Sequence, residues 1–457
     1  MVRRRGMLIG ILPLARSTFD TALAQEKCLS AVAALESSGA DIVGCRHLLL
    51  DEEAFQSALE ELKAAPIDHI VILQTTFTDA ASVVTASEEL AAPLTIWALP
   101  EPRTGGRLRL NSLCGLNLAA HALGLRGFHF NWLYEDPDIV SAEDLMRRLM
   151  NPEKTPLAPA KAGEADGRGK SFPIRNARIG RIGEHPPGFD TCAFDEAQLQ
   201  TRYGVRLAEL PLRELFRKAD GSAVSSNCIE GLKGVGEMEP EALSRSLRLK
   251  PALQQLASEH RLDAIAIRCW PECFTDYGGA VCAAVSLLGD EGIPCACEAD
   301  VFGAMSQLLL QRIADAPVFL TDLVEADAED NSAVVWHCGQ APLSMCDAEF
   351  KPRAAVHSNR RQPLLCEFPL KPGPVTLMRL SQACGDHRLV VMKAEMLRRP
   401  PAFSGTSGVL RFHKPVELVL NAIIEHRLEH HFALSYGDHV QGLKMAAGSM
   451  GLQVLEI

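Results

Sequence analysis

Residues 7–14, Met7-Leu8-Ile9-Gly10-Ile11-Leu12-Pro13-Leu14, decide the reading of the fold. An unbroken apolar run is what a strand covered on both faces requires, because each face needs its own apolar side chains. From Asp20 to Ser38 the pattern changes to a helix, with Ala22, Leu29, Val32 and Leu35 near helical spacing. ADIVGC (40–45), HIVILQ (69–74) and PLTIWAL (93–99) are further short apolar runs separated by helical stretches. This alternation implies a parallel, doubly wound sheet. The basic start MVRRRG, the apolar run and Ala22-Leu23-Ala24 also imitate a secretory signal. Arg16 and Asp20 interrupt that pattern, and a buried first strand is the better reading.

Outward from this region, residues 151–170 are rich in Pro, Ala, Gly and charge and read as a linker. A second alternating region follows, with ARIGRIG, VRLAELPL, AIAIRCWP, GIPCACEAD and PVFLTDL as strands and helices over 239–260 and 280–290. After about residue 346 the runs become short, β-like and punctuated by Pro and Gly, with one helix-like stretch at 415–426. The expected fold is α/β: two doubly wound parallel-sheet domains followed by a mostly antiparallel β C-terminal domain. The expected boundaries are 1–170 (linker included), 171–345 and 346–457.

A chain of 457 residues with 47% hydrophobic and 23% charged residues has ample material for large cores. Its net charge of -11 argues against a nucleic-acid partner. No run of about 18 apolar residues exists, so no membrane helix is expected. Fourteen cysteines, many inside apolar runs, read as small buried hydrophobes in a reduced cytoplasmic protein. Zinc on Cys269, Cys273, Cys295 and Cys297 is the competing idea, but the spacings are CxxxC and CxC, with no CxxC pair. Gly169-Lys170-Ser171 imitates the end of a phosphate loop, yet position 164 is Glu and the segment follows a linker. No GxGxxG follows the first strand, so a dinucleotide site is unsupported.

The stretch 269–300, CWPECFTDYGGAVCAAVSLLGDEGIPCACEAD, carries the candidate chemistry. Asp276 lies in a turn after the strand AIAIRCW, and Glu298 and Asp300 end the next strand. Ligands of doubly wound sheets gather at such carboxyl ends. A strand running through Asp300 would turn Glu298 and Asp300 to one face. Hard divalent cations want carboxylate oxygens of this kind, and ordinary surface acids at loop ends are the bland alternative.

At these residues the chain resembles the L-fucose isomerase/L-arabinose isomerase group. Fucose isomerases hold a divalent metal with a glutamate and an aspartate 24 residues apart, and here 300 − 276 = 24. Glu298-Ala299-Asp300 resembles their Glu-Asn-Asp. His431, followed by Ser435-Tyr436-Gly437, resembles their third ligand, and His430-His431 resembles the paired histidines of arabinose isomerases. His337, in Trp336-His337-Cys338-Gly339, lies where arabinose isomerases supply another histidine. The family has Glu where this chain has Asp276.

The resemblance implies a metal-dependent aldose–ketose isomerase that moves a proton between C1 and C2 of an open-chain sugar through an enediol. Asp276, Asp300 and His431 would hold a divalent cation, expected to be Mn²⁺, with Asp276 and Asp300 also as acid/base groups. His337 and His430 would be ligands or substrate partners. Arg16, Gln74, Asn111, His185, Lys233 and Trp270 are the remaining candidate sugar contacts, each also readable as turn, capping or surface chemistry. The resemblance further implies a homo-oligomer, expected to be a hexamer, with Arg16 or Gln74 reaching a neighbour's metal. It leaves the sugar open among L-fucose, L-arabinose, D-arabinose and sulfonated or deoxy hexoses. A non-catalytic sugar-binding protein on the same scaffold is the alternative.

Overall fold

The computed structural model describes residues 7–150, 172–224 and 229–457. The expected linker at 151–170 and the Gly169-Lys170-Ser171 triplet lie outside these. Among the described residues no helix is long and apolar enough to cross a membrane. The chain divides into two compact units. The first holds the described parts of Met1–Pro102 and Leu108–Leu157, together with Ile423–Leu428. The second holds Arg103–Arg107, the described parts of Ala158–Ala422, and Glu429–Ile457.

The first unit alternates β1 (Leu8–Leu14), α1 (Thr21–Ser37), β2 (Asp41–Gly44), α2 (Glu52–Lys63), β3 (His69–Gln74), α3 (Ala81–Glu89), β4 (Leu94–Ala98), α4 (Ser112–Leu125), β5 (Asn131–Tyr134) and α5 (Ala142–Met150). Its sheet is parallel, in the order β2-β1-β3-β4-β5. The opening apolar run is thus an inner strand. Ile9 and Ile11 share a core with α1 and α5, while a Cβ at Gly10 would stand 3.1 Å from Leu62 of α2, on the other face. α1 starts where Asp20 caps it, its carboxylate accepting from Leu23 N at 3.1 Å. The buried face of α1 is Leu23, Ala24, Cys28, Ala31, Val32 and Leu35. Leu29, expected on that face, is 50% exposed, because Cys28 occupies the inward position one residue earlier.

The strand order reverses at β1 and β3, where a doubly wound sheet opens its crevice. Beyond β4, the buried Glu101 carboxylate accepts from the amides of Arg109 (2.6 Å), Leu110 (2.7 Å) and Asn111 (2.7 Å), just ahead of α4. One side chain thereby satisfies three backbone donors at a helix start.

The second unit contains β6 (Arg178–Ile182), α6 (Glu196–Tyr203), β7 (Arg206–Leu210), α7 (Leu212–Asp220), α8 (Pro240–His260), β8 (Ala264–Ile267), α9 (Cys282–Asp290), β9 (Cys295–Ala296) and α10 (Val301–Ala314). The strands form a parallel sheet, β7-β6-β8-β9. Its alternation is visible in β8: Ala264 and Ala266 pack with α10, Ile265 and Ile267 with α8 and α9.

Next come β10 (Phe319–Asp327), β11 (Ser332–His337), β12 (Arg353–Val356), β13 (Pro363–Pro369), β14 (Gly373–Ser381), β15 (Arg388–Met396), β16 (Thr406–Phe412), α11 (Val416–Glu425), β17 (His431–Tyr436), α12 (Val440–Met450) and β18 (Gln453–Glu456). Their sheet runs β12-β13-β16-β11-β10-β17-β14-β15-β18, and a further β15–β16 pairing closes the six strands from β16 round to β15 into an antiparallel barrel. The fold class is the one expected: parallel doubly wound sheets, then a mostly antiparallel one. The antiparallel sheet begins at β10, however, ahead of the change in texture near residue 346. PVFLTDL looks like the earlier strands locally, and only its pairing with β11 and β17 assigns it to the barrel. α10 packs Val301, Phe302, Met305 and Leu309 against Met378 and Leu380 of β14 and Ala433 of β17.

The Glu101 clasp gives a direct test. Glu101→Ala strips three amides of their acceptor and should destabilise the first unit by about 1–3 kcal/mol. Calorimetric unfolding should register this as a lower midpoint, with Glu101→Gln retaining part of the stability.

Candidate metal centre

β9 ends after two residues, and the chain then leaves the sheet. Glu298 and Ala299 both adopt left-handed backbone with φ of 53°, a strain of about 1–3 kcal/mol each for residues with a Cβ. The strand expected to run through Asp300 is therefore cut short, and Glu298 and Asp300 diverge. Asp300 becomes the cap of α10, Oδ1 accepting from Gly303 N at 2.8 Å. Arg379 of β14 grips the same carboxylate at 2.6 and 3.0 Å, with both side chains fully buried.

The remaining reach of Asp300 fixes His431. Its Oδ2 lies 2.9 Å from His431 Nδ1. A carboxylate can only accept, so Nδ1 carries the proton and Nε2 points away from Asp300. Nε2 stands 3.2 Å from Glu298 Oε2 and 3.5 Å from Asp322 Oδ1. Asp322 is there because β10 and β17 pair with Asp322 directly opposite His431, which sends both side chains to one face. The His337 ring stacks at 5.6 Å from that of His431. Glu298 Oε2, Asp322 Oδ1 and His337 Nε2 are all buried without a hydrogen-bond partner. The other oxygen of Glu298 is satisfied by Trp270 Nε1 at 2.9 Å and faces Cys269 Sγ at 3.6 Å.

The charges are unbalanced in a telling way. Burial opposes ionisation of Asp300, yet Arg379 and His431 hold it well below the usual carboxylate range. Burial likewise disfavours charged Glu298, but His431 outweighs it and holds the group low. Burial, with Glu298 and Asp300 nearby, pushes Asp322 up to about 7 despite His431. His431 is driven up to about 10, because Asp300 and Glu298 overcome its burial. Burial lowers His337 to about 4. His431 thus faces three acidic groups on its Nε2 and Nδ1 sides, one of which, Asp300, is also paired with Arg379.

The donor atoms of Glu298, His337 and His431 lie within 4.8 Å of one another, and Asp322, His430 and His431 form a second such group. Carboxylate oxygens with imidazole nitrogens suit Mn²⁺, Co²⁺ or Mg²⁺. The orphaned atoms of Glu298, Asp322 and His337 are those a divalent ion would satisfy, so the residues fit the group that the resemblance implies. The zinc alternative fares less well: Cys269 and Cys297 approach each other beside Glu298, but Cys273 and Cys295 do not join them; burial pushes the thiols of Cys273 and Cys295 up, and the hydrogen bond with Cys269 together with burial raises that of Cys297.

Of the expected site residues, the structure gathers Asp300, His431, His430, His337 and Trp270. The ring of His430 lies 3.8 Å from that of His431 and meets Phe189 edge-on at 6.1 Å. His185 sits on the loop after β6, where Asp300 is among the charges it feels. Asp276 does not join them. After β8 the chain enters a π-helical turn, Cys273–Tyr277, on whose exposed side Asp276 accepts from Thr275 Oγ1 at 2.7 Å. It lines a separate cleft of about 410 Å³ with Phe216, Arg245, Arg248 and Tyr277. Lys233 is exposed, bridging Arg353 through its backbone. Arg16, Gln74 and Asn111 belong to the first unit. There Arg16 N donates to Thr76 Oγ1 at 2.8 Å and Ser112 Oγ to the Gln74 carbonyl, with Gln74 Oε1 and Asn111 Oδ1 buried and unpartnered.

Sequence reasoning missed Asp322 and Arg379 and passed over Glu298 as a ligand. One signal was available. Glu298 and Asp322 also stand 24 apart (322 − 298 = 24). This pair begins with a glutamate, as the fucose isomerase pattern does, where the pair Asp276 and Asp300 does not.

Residues 10–151 match the family described as "Fucose/sulfoquinovose isomerase, N-terminal domain", and residues 335–457 match "L-fucose isomerase, C-terminal domain". A sulfoquinovose isomerase of Alkalicoccus urumqiensis is 30% identical over 98% of this chain and 98% of its own. One of Priestia aryabhattai is 30% identical over 94% of this chain and 95% of its own.

The chain belongs to the fucose/sulfoquinovose isomerase family.

It is accordingly a sugar isomerase, interconverting an aldose and a ketose. The solved structure of an A1-type ketoreductase aligns at 15% identity over 65% of this chain and 78% of that one, but its TM-score of 0.26 carries no argument.

In this isomerase the Arg379–Asp300 pair should behave as a unit. Arg379→Met alone leaves a buried carboxylate uncompensated and should cost about 3–5 kcal/mol. The double variant Arg379→Met/Asp300→Asn removes both charges and should recover most of that loss in denaturant unfolding. Additive losses would mean the two residues act separately.

Proposed function

We propose that the protein is a metal-dependent isomerase of a sulfonated aldose, with Glu298, Asp322 and His431 as the protein ligands and His337 and His430 beside them. The observation that carries this reading is the convergence of unpartnered Glu298 Oε2 and Asp322 Oδ1 on His431 Nε2. The substrate class is suggested by the full-length relatives, which are sulfoquinovose isomerases. Sulfoquinovose is an aldohexose with a sulfonate in place of its C6 hydroxyl. Mn²⁺ is the ion we favour; when bound, it would polarise the carbonyl and stabilise negative charge developing on the sugar oxygens.

The chain's own residues would do the rest. Isomerisation carries one proton between C1 and C2 through an enediol, and a positioned carboxylate makes this step faster by about 10²–10⁴-fold. Asp322, directly opposite His431 in the barrel and facing its Nε2, is the carboxylate we assign to take and return that proton. Glu298 is held in place by the Trp270 indole N–H. Asp300 orients His431 through Nδ1, and Arg379 keeps Asp300 ionised. Trp270, Phe189 and His430 form an aromatic wall beside the cluster, which would exclude water from the reacting carbons.

Chelation should abolish ketose formation, and Mn²⁺ should restore it. Glu298→Gln and Asp322→Asn should each weaken Mn²⁺ binding and eliminate deuterium uptake at C2 from heavy water. Asp276→Asn should keep activity within about twofold, since exposed substitutions away from a site have small effects. Full activity in the metal-stripped protein would sink the metal reading, and loss of Mn²⁺ binding in Asp276→Asn would return that residue to the site.

We further propose a cytoplasmic homo-oligomer, hexameric as the resemblance implies, in which the Arg16, Gln74 and Asn111 edge of one subunit completes the pocket of another. Buried Gln74 Oε1 and Asn111 Oδ1, each without a partner, support such a role for that edge. Arg16→Ala and Asp322→Asn subunits, each inactive alone, should regain activity when mixed. A monomer with full activity would overturn the proposal.

A further inference from the structure

Beside the cluster lies a cation that the isomerase chemistry leaves unused. The connection between β12 and β13 reads His357-Ser358-Asn359-Arg360-Arg361-Gln362. It is a built turn. His357 N donates to the Gln362 carbonyl at 2.9 Å and Arg361 N to the His357 carbonyl at 2.7 Å. The amides of Asn359 and Arg360 both approach His357 Nδ1, at 3.2 and 3.3 Å. That makes Nδ1 an acceptor. The His357 ring is buried edge-on against Phe274 at 5.3 Å. Burial, with Arg360 and His337 close by, lowers it to about 3, so it anchors the turn without adding charge.

What this turn presents is Arg360. Its guanidinium carbon lies 4.9 Å from the centroid of the Trp270 ring, and that indole donates to Glu298 Oε1 at 2.9 Å. Among the described residues no carboxylate forms an ion pair with Arg360. Arg107 Nε donates to Asn359 Oδ1 of the same turn at 2.8 Å. A half-buried guanidinium stacked on an aromatic face keeps its in-plane N–H edge for a planar pair of oxyanion oxygens. Its distance also suits a substrate. Through Trp270 the guanidinium is no more than roughly 12 Å from Glu298 Oε2, and an extended hexose ending in a sulfonate spans roughly 8–9 Å at ordinary bond lengths.

We infer that Arg360, held over Trp270 by the His357 turn, binds the sulfonate of the substrate and sets the preference for a sulfonated over a neutral aldose. This rests on the sulfonated-aldose reading above. A sulfonate is anionic at every physiological pH and a guanidinium is always cationic. The recognition therefore does not depend on any titration. Neutral hexoses with a C6 hydroxyl would still reach the metal centre but would lose the charge-assisted pair.

The test compares sulfoquinovose with D-glucose on the Mn²⁺-loaded protein, for wild type, Arg360→Gln and Arg360→Lys. For Arg360→Gln the KM for sulfoquinovose should rise about 10–100-fold, the loss expected for a charged hydrogen-bonding group, with kcat changed by no more than a few-fold. The selectivity for sulfoquinovose over D-glucose should fall by a similar factor, and Arg360→Lys should recover part of it. Mn²⁺ affinity, measured by titration, should stay at the wild-type value and so report an intact site. A wild-type KM in Arg360→Gln, or a loss confined to kcat, would overturn the role of Arg360 while leaving the sulfonated-aldose reading in place. Wild-type protein that converts D-glucose but not sulfoquinovose would overturn both.

Discussion

Everything at the candidate metal centre depends on how His431 is held. Asp300 accepts a hydrogen bond from the Nδ1–H, which turns Nε2 toward Glu298 and Asp322. Arg379 in turn keeps Asp300 ionised in a place where burial alone would not. The arrangement separates two jobs that a list of acidic residues would merge: Asp300 orients a ligand, while Glu298 and Asp322 present oxygens to the space that ligand faces. Metal-binding histidines are commonly oriented in this way, through the nitrogen that does not touch the metal.

The fold supplies the contributors from three different constructions. Asp300 is placed by a helix start, where a carboxylate is favoured by the free amides of the first turn. Glu298 is placed by a strained turn that breaks a strand early. Asp322, Arg379 and His431 are placed by barrel registry, on the neighbouring strands β10, β14 and β17. A one-residue slip of β17 would send His431 to the opposite face. Closure through β15 and β16 makes such a slip costly, because every strand of the ring is paired on both sides.

Much of this was legible in the sequence. The apolar run at 7–14, the β3 segment HIVILQ and helix α8 are found where periodicity puts them, because their signals are local. His431, singled out by its Ser-Tyr-Gly context, lies within the cluster. Asp322 was hidden for the opposite reason. In FLTDL it looks like any acid in a strand, and only pairing with a segment more than a hundred residues later gives it a partner. Arg379 was hidden in the same way, as a charge within the apolar run PVTLMRLS. Asp276, matched through a spacing of 24, stands apart from the cluster on an exposed turn, and the pair Glu298 and Asp322 has the same spacing. The backbone reversal at Glu298 left no mark in composition, since neither Glu nor Ala favours left-handed geometry.

The barrel that joins β10 to β17 also has a consequence in time. The ribosome delivers β10 well before β17, and at about 5–20 residues per second the gap is roughly 5–20 s. During that interval Asp322 exists without His431 opposite it. The nascent chain then carries Glu298, Asp322 and His337 without the imidazole that faces them. The face on which Asp322 and His431 stand together comes into being only once β17 has been made and paired.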